Sequence, residues 1–176
     1  MGSDTSNVVW TIGHSNRTFD EFALALRDAQ IELIVDVRRF PGSRRLPQFA
    51  SEALQAELET RGIAYDWIPA LGGRRRTGSE SADTGWTHPA FRAYAAHVET
   101  EEFAEGLFEL LMLAGGLRTA IMCAEVLWWR CHRRLIADVL VSLGVQVVHL
   151  FAPEKREVHR LREPARLDDG RLTYDR

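Results

Sequence analysis

Apolar and polar positions alternate along this chain in two rhythms, short unbroken apolar runs and longer stretches with one apolar face. Val8 to Ile12 is an apolar run closed by Gly13, which predicts a strand; Thr18 with Glu21 then forms a capping box opening a helix through Gln30. In that helix Phe19, Phe22, Leu26 and Ala29 recur at helical spacing and define its inner face. Ile31 to Val37 shows no polar alternation before Asp36, the pattern of a strand covered on both faces and hence of a parallel sheet. A helix capped by Ser51 and carrying Leu54 and Leu58 stops at Gly62, and Ala64 to Ile68 supplies the next strand. Two helices follow, Thr87 to Thr100 and Glu101 to Leu113, then a strand at Thr119 to Ala124, a helix at Cys131 to Leu143 and a strand at Val145 to Phe151. The expected fold is α/β: one mostly parallel sheet flanked by helices. Residues 1–152 read as that domain and 153–176 as a charged C-terminal extension. The extension reads as irregular surface chain with a terminal strand at Leu172 to Tyr174, and Gly72 to Gly85 as a flap over a site.

Composition narrows the picture. The 176 residues suit one core rather than two, and 45% are apolar. A net charge of −3 excludes a nucleic-acid binder that works by global charge. Any basic site must be local, and here Lys155 is the only lysine among 22 basic residues. Three arginine clusters without acids stand out: Arg38, Arg39, Arg44 and Arg45; Arg74, Arg75 and Arg76; Arg130, Arg133 and Arg134. The planar guanidinium fork matches phosphate and carboxylate oxygens, so these clusters point to an anionic ligand. Two cysteines are too few for a secreted disulfide scaffold, Met1 to Val9 lacks the pattern of a leader, and no apolar stretch approaches the roughly 20 residues a bilayer requires. A cytoplasmic protein that does not span a membrane is expected.

Parallel strands deliver their carboxyl ends to one edge, where α/β proteins bind ligands. The predicted ends are Gly13-His14-Ser15-Asn16, Asp36-Val37-Arg38, Leu71-Gly72-Gly73 and Cys123-Ala124-Glu125. Several of these motifs in this order, with Pro41-Gly42-Ser43-Arg44, Phe91-Arg92 and Tyr94, and Cys131-His132-Arg133, resemble the family called domain of unknown function 488 over about Val9 to Phe151. The resemblance implies an α/β domain and singles out these motif residues, while naming no reaction.

The residues themselves suggest three chemistries. Glu125 with Asp36 or His14 makes an acid/base set for a hydrolase acting on a nucleotide-like or other anionic substrate. Arg38, Arg44 and Arg133 would grip the anion, with Ser15, Asn16, Arg92, Tyr94, Trp129 and His132 as further ligand contacts. Cys123, at a strand end before a helix and near arginines, offers thiol chemistry instead, similar to rhodanese sulfur transfer. That comparison is weakened because a rhodanese cradle is a short ring of backbone N–H groups, whereas this loop holds Glu125, Trp128 and Trp129. Arginines with Trp86, Phe49, Tyr94, Trp128 and Trp129 as stacking groups would suit a non-catalytic nucleic-acid module. The spacing of His14, Cys123, Glu125, Cys131 and His132 does not repeat a zinc pattern, so no metal and no cofactor are expected.

Overall fold

The structure, a computed structural model, describes residues 7–76 and 84–175. It opens with β1 (Val8–Gly13) and α1 (Phe19–Asp28), where Thr18 Oγ1 accepts from Glu21 N and the Glu21 carboxylate accepts from Thr18 N. Then come β2 (Leu33–Asp36), α2 (Ser51–Glu59) and β3 (Ala64–Trp67). Ser51 does not cap α2 as expected; Ala50 occupies the cap without a side-chain acceptor, and Ser51 is already helical. The chain continues through α3 (Pro89–Val98), α4 (Glu101–Ala114), β4 (Thr119–Cys123), α5 (Arg133–Ser142) and β5 (Gln146–Ala152).

The sheet order is β3-β2-β4-β1-β5-β6, parallel except for β6 (Lys155–Val158), which runs antiparallel along β5. The C-terminal extension is thus more ordered than its alternating charges suggest. It adds β6 to the main sheet and ends in a hairpin of β7 (Arg166–Asp168) and β8 (Arg171–Thr173). Its His159, Ala165 and Tyr174 are buried, which is what ties it down. Half of the flap expected at Gly72 to Gly85 lies outside the described residues.

Two cores sandwich the sheet. Phe22, Leu26, Leu54 and Leu58 from α1 and α2 pack on Trp10, Ile12, Ile34 and Met122. Tyr94, Phe103, Leu110, Leu135 and Leu140 from α3, α4 and α5 pack on Val9, Val35, Ile121 and Val147. The division follows the strand order. Connections from β1 and β2 progress toward β3 and put their helices on one face, whereas those from β3 and β4 progress the other way and use the opposite face. Neighbouring β1 and β4 therefore send their chains to opposite sides, the arrangement that places functional loops at the strand ends. At this point the loops close on each other: His14 N donates to Cys123 O at 3.0 Å and Ser15 N to Ala124 O at 2.8 Å. Gly13 permits this approach, since a Cβ there would fall 1.9 Å from Glu125 O.

Among the described residues no helix is long and apolar enough to cross a membrane. Of the five aromatics considered for base stacking, Phe49, Trp86, Tyr94 and Trp128 are buried in the core and only Trp129 is exposed. Adjacent Trp128 and Trp129 differ in burial, yet their rings meet edge to face with centroids 5.6 Å apart.

Candidate active site

The carboxyl ends of β2 and β4, with the segments that follow them, enclose a cleft of about 510 Å³. Its floor is His14, Arg38, Cys123, Cys131 and His132; its walls include Arg39, Arg45, Arg74 and Glu125. An adjoining hollow of about 520 Å³ shares Arg74, Glu125, Cys131 and His132 and adds Trp129 and Arg130. Arginines outnumber the single carboxylate on these walls, so the surface favours an anion.

Asp36 and Arg38 are locked together beneath the cleft. Arg38 Nε donates to Asp36 Oδ1 at 2.9 Å and Nη2 to Oδ2 at 2.7 Å, Arg38 N donates to Oδ1 at 3.0 Å, and Tyr65 OH donates to Oδ2 at 2.7 Å. Asp36 has no exposed surface. It holds Arg38 in place and presents no oxygen to the cleft. Arg38 Nη1 reaches Phe49 O at 2.8 Å and His14 Nε2 at 3.3 Å. His14 stacks on Phe49 with ring centroids 4.4 Å apart and donates from Nδ1 to Ser15 O at 2.8 Å. Burial, reinforced by the Arg38 charge, lowers the His14 pKa and keeps it neutral.

The two cysteines lie on the opposite side of the floor, with Sγ atoms 3.3 Å apart. Cys123 ends β4 and is buried; Cys131 precedes α5 and is partly accessible. Between them and the interior stands Arg133, 1% exposed. Its Nε donates to Cys123 Sγ at 3.0 Å and to Cys131 Sγ at 3.3 Å, Nη1 to Thr11 Oγ1 at 2.9 Å, and Nη2 to the carbonyls of Glu125 and Val126. None of the ion pairs among the described residues includes Arg133. A guanidinium cannot shed its proton and a buried charge needs a counter-charge, so a thiolate is the anion within reach.

Of the two thiols, Cys131 is the one drawn toward ionisation. Burial alone would push its thiol up, but the bond from Cys123, the Arg133 charge and the Arg133 backbone N–H outweigh this and hold it well below the ordinary thiol range. Cys123 moves the other way, driven up by burial and by donating to Cys131. His132 donates from Nε2 to Val37 O at 2.7 Å, and burial lowers its pKa. Its Nδ1 then lacks a proton and faces Gly73, where a Cβ would come within 2.8 Å.

Beneath Arg133 a polar chain crosses the interior. Thr11 Oγ1 lies 2.7 Å from His149 Nδ1, His149 Nε2 2.9 Å from His159 Nδ1, and His159 Nε2 2.7 Å from Asp138 Oδ1; Tyr174 OH donates to Asp138 Oδ2 at 3.1 Å. One pattern of single-proton imidazoles satisfies every atom: Arg133 donates to Thr11, Thr11 to His149, His149 to His159 and His159 to Asp138. Trp128 lies flat on His149, with centroids 4.3 Å apart. Burial lowers the His149 pKa from the ordinary 6.5 to about 2.

The structure thus gathers His14, Arg38, Cys123, Glu125 and His132 around one cleft, with Cys131 among them. It sets others elsewhere. Arg44 and Asn16 are exposed and, like Ser15, do not line the cleft. Arg92 lines a hollow beside Tyr174 and Asp175; Tyr94, buried with its OH donating to Leu71 O at 2.7 Å, borders the adjoining hollow with its ring 5.2 Å from that of His132. Arg133 serves the sulfurs rather than the cleft surface. Thr11, Asp138, His149, His159 and Tyr174 were not anticipated.

The domain of unknown function DUF488 matches residues 18–140. The chain belongs to the DUF488 family. No curated protein and no solved structure among those compared matches it. The DUF488 match includes Asp36, Arg38, both cysteines, Arg133 and Asp138, but ends short of His14 on one side and of His149, His159 and Tyr174 on the other.

Proposed function

We propose that this DUF488 chain is an enzyme that acts on an anionic substrate through the Cys131 thiolate. The observation that carries this reading is Arg133, buried, bonded to both sulfurs and paired with no carboxylate of the described residues. Arg39, Arg45 and Arg74 supply the anion's contacts, and exposed Phe40 beside Arg39 gives a nucleotide-like ligand a stacking surface. Glu125, on the rim of both hollows, is placed to exchange a proton with a leaving group. A hydrolase built on two carboxylates is less well supported, because Asp36 is committed to Arg38 and Tyr65. Single-cysteine sulfur transfer is also less well supported, because a persulfide on one sulfur would lie within reach of the other.

Iodoacetamide alkylation across pH, followed by peptide mass spectrometry, tests the reading. Cys131 is expected to react well below the pH at which an ordinary thiol titrates, and inorganic phosphate or a nucleotide in the cleft should slow it. A Cys131 reactivity that follows an unperturbed thiol curve, near 8.5, would overturn it.

A further inference from the structure

Two sulfurs in contact suggest more than one nucleophile and a bystander. We infer that Cys131 and Cys123 form a two-electron dithiol/disulfide couple whose co-substrate is a low-molecular-weight disulfide bearing carboxylates. The inference rests on the thiolate reading above and narrows its substrate class.

Accessibility sets the order of events. Cys131 is partly accessible and borders both hollows, whereas Cys123 is 3% exposed and borders only the main cleft. An external disulfide therefore meets Cys131 first. The Cys131 thiolate attacks one sulfur of R–S–S–R; a Cys131–S–R bond forms, the original S–S bond breaks, and one RS⁻ departs. Cys123 then loses its proton to that thiolate and attacks Cys131 Sγ, forming the internal disulfide and expelling the second RS⁻. Altogether the thiolate, the thiol and R–S–S–R become the protein disulfide, RSH and RS⁻. The protein is oxidised by two electrons and the small disulfide reduced by two.

Geometry favours the second step. The sulfurs begin 3.3 Å apart, inside the range of a near-attack arrangement, so ring closure has no diffusional search to make. Arg133 Nε bonds both sulfurs, so as negative charge passes from Cys131 to Cys123 the same donor follows it without moving. The co-substrate's charge follows from the walls: Arg39, Arg45 and Arg74 stand there against Glu125 alone. Carboxylates flanking a disulfide match such a surface, and ammonium groups are repelled by it.

Oxidised glutathione and cystamine, disulfides of opposite charge, make the test. With oxidised glutathione the wild-type chain should lose two hydrogens and yield a peptide pair linked through Cys123 and Cys131. Cys123→Ser should stop at a glutathione adduct on Cys131, and Cys131→Ser should form neither product. Cystamine should react at least about tenfold more slowly, the gap closing as salt is added. Equal rates would overturn the anionic co-substrate, and a wild-type chain that stops at the mixed disulfide would overturn the couple. If Cys131 alkylates readily at low pH yet no internal link forms, the couple fails while the thiolate reading survives; ordinary reactivity at Cys131 defeats both. Circular dichroism of each variant checks folding, and the wild-type result stands without them.

Discussion

Asp36 and Arg133 are both charged and both fully buried, and they solve the same problem differently. Asp36 is neutralised by Arg38 two residues along, with Tyr65 completing its hydrogen bonds. Arg133 meets sulfur, a softer and protonatable partner, so its local charge balance depends on the state of a reactive group. Removing the charge of Asp36 should therefore be costly: Asp36→Asn leaves the Arg38 guanidinium buried without its anion and is expected to lose about 3–5 kcal/mol. Urea denaturation monitored by fluorescence would measure this, and a loss under about 1 kcal/mol would show that water reaches Arg38. At this scale the sequence was partly misleading. Asp36 looked like a catalytic carboxylate and Arg133 like an anion clamp, because a residue letter at a strand or helix end says nothing of which neighbour consumes its hydrogen bonds.

Elements were easier to read than residues. The strands β1, β2, β4 and β5 were visible as apolar runs, and α1 announced itself by its capping box, because burial on two faces and the need to satisfy helix-end N–H groups leave direct marks in sequence; the edge strand β3, with Asp66 inside it and no buried residue, carries no such mark. What could be seen without being understood was the polar letter inside an apolar element: Thr11 in β1, Asp138 in α5, His149 in β5. Such residues call for partners, yet Thr11 and His149 meet across 138 positions, a pairing that only the strand order reveals. Their network makes the stability of the β1–α5–β5 unit pH-dependent. His149 stays neutral in the folded chain but accepts a proton near pH 6.5 when unfolded, so the unfolded state binds more protons once pH drops below that value. Its contribution is complete above 6.5 and shrinks as pH falls toward 2, by about 1.4 kcal/mol per pH unit. Between pH 6.5 and 5 the loss from His149 should reach about 2 kcal/mol. Denaturant titrations at pH 7.5, 6 and 5 would show it, with His149→Gln flattening the slope by close to one proton; an unchanged slope would remove His149 from the account.

For the molecule as a whole, family membership covers the central part of the chain, and the structure adds what flanks it. His159 and Tyr174, from the C-terminal extension, complete the hydrogen bonds of Asp138 in α5. The extension is thus a structural wall behind the cysteine floor. Its role was hidden in sequence because charges of both signs dominate it, while the few buried residues that dock it are widely spaced. Oxidation extends this dependence to the entire fold. Closing a disulfide between cysteines eight positions apart constrains the unfolded chain by about 2.5 kcal/mol. On the proposed thiolate reading the same bond erases the counter-anion of Arg133, which has no carboxylate partner among the described residues, and an orphaned interior cation costs about 3–5 kcal/mol. The second effect is larger, so here a crosslink should weaken the fold: the oxidised chain is expected to melt below the reduced one by calorimetry, and its disulfide to be a strong oxidant, readily returned to thiols.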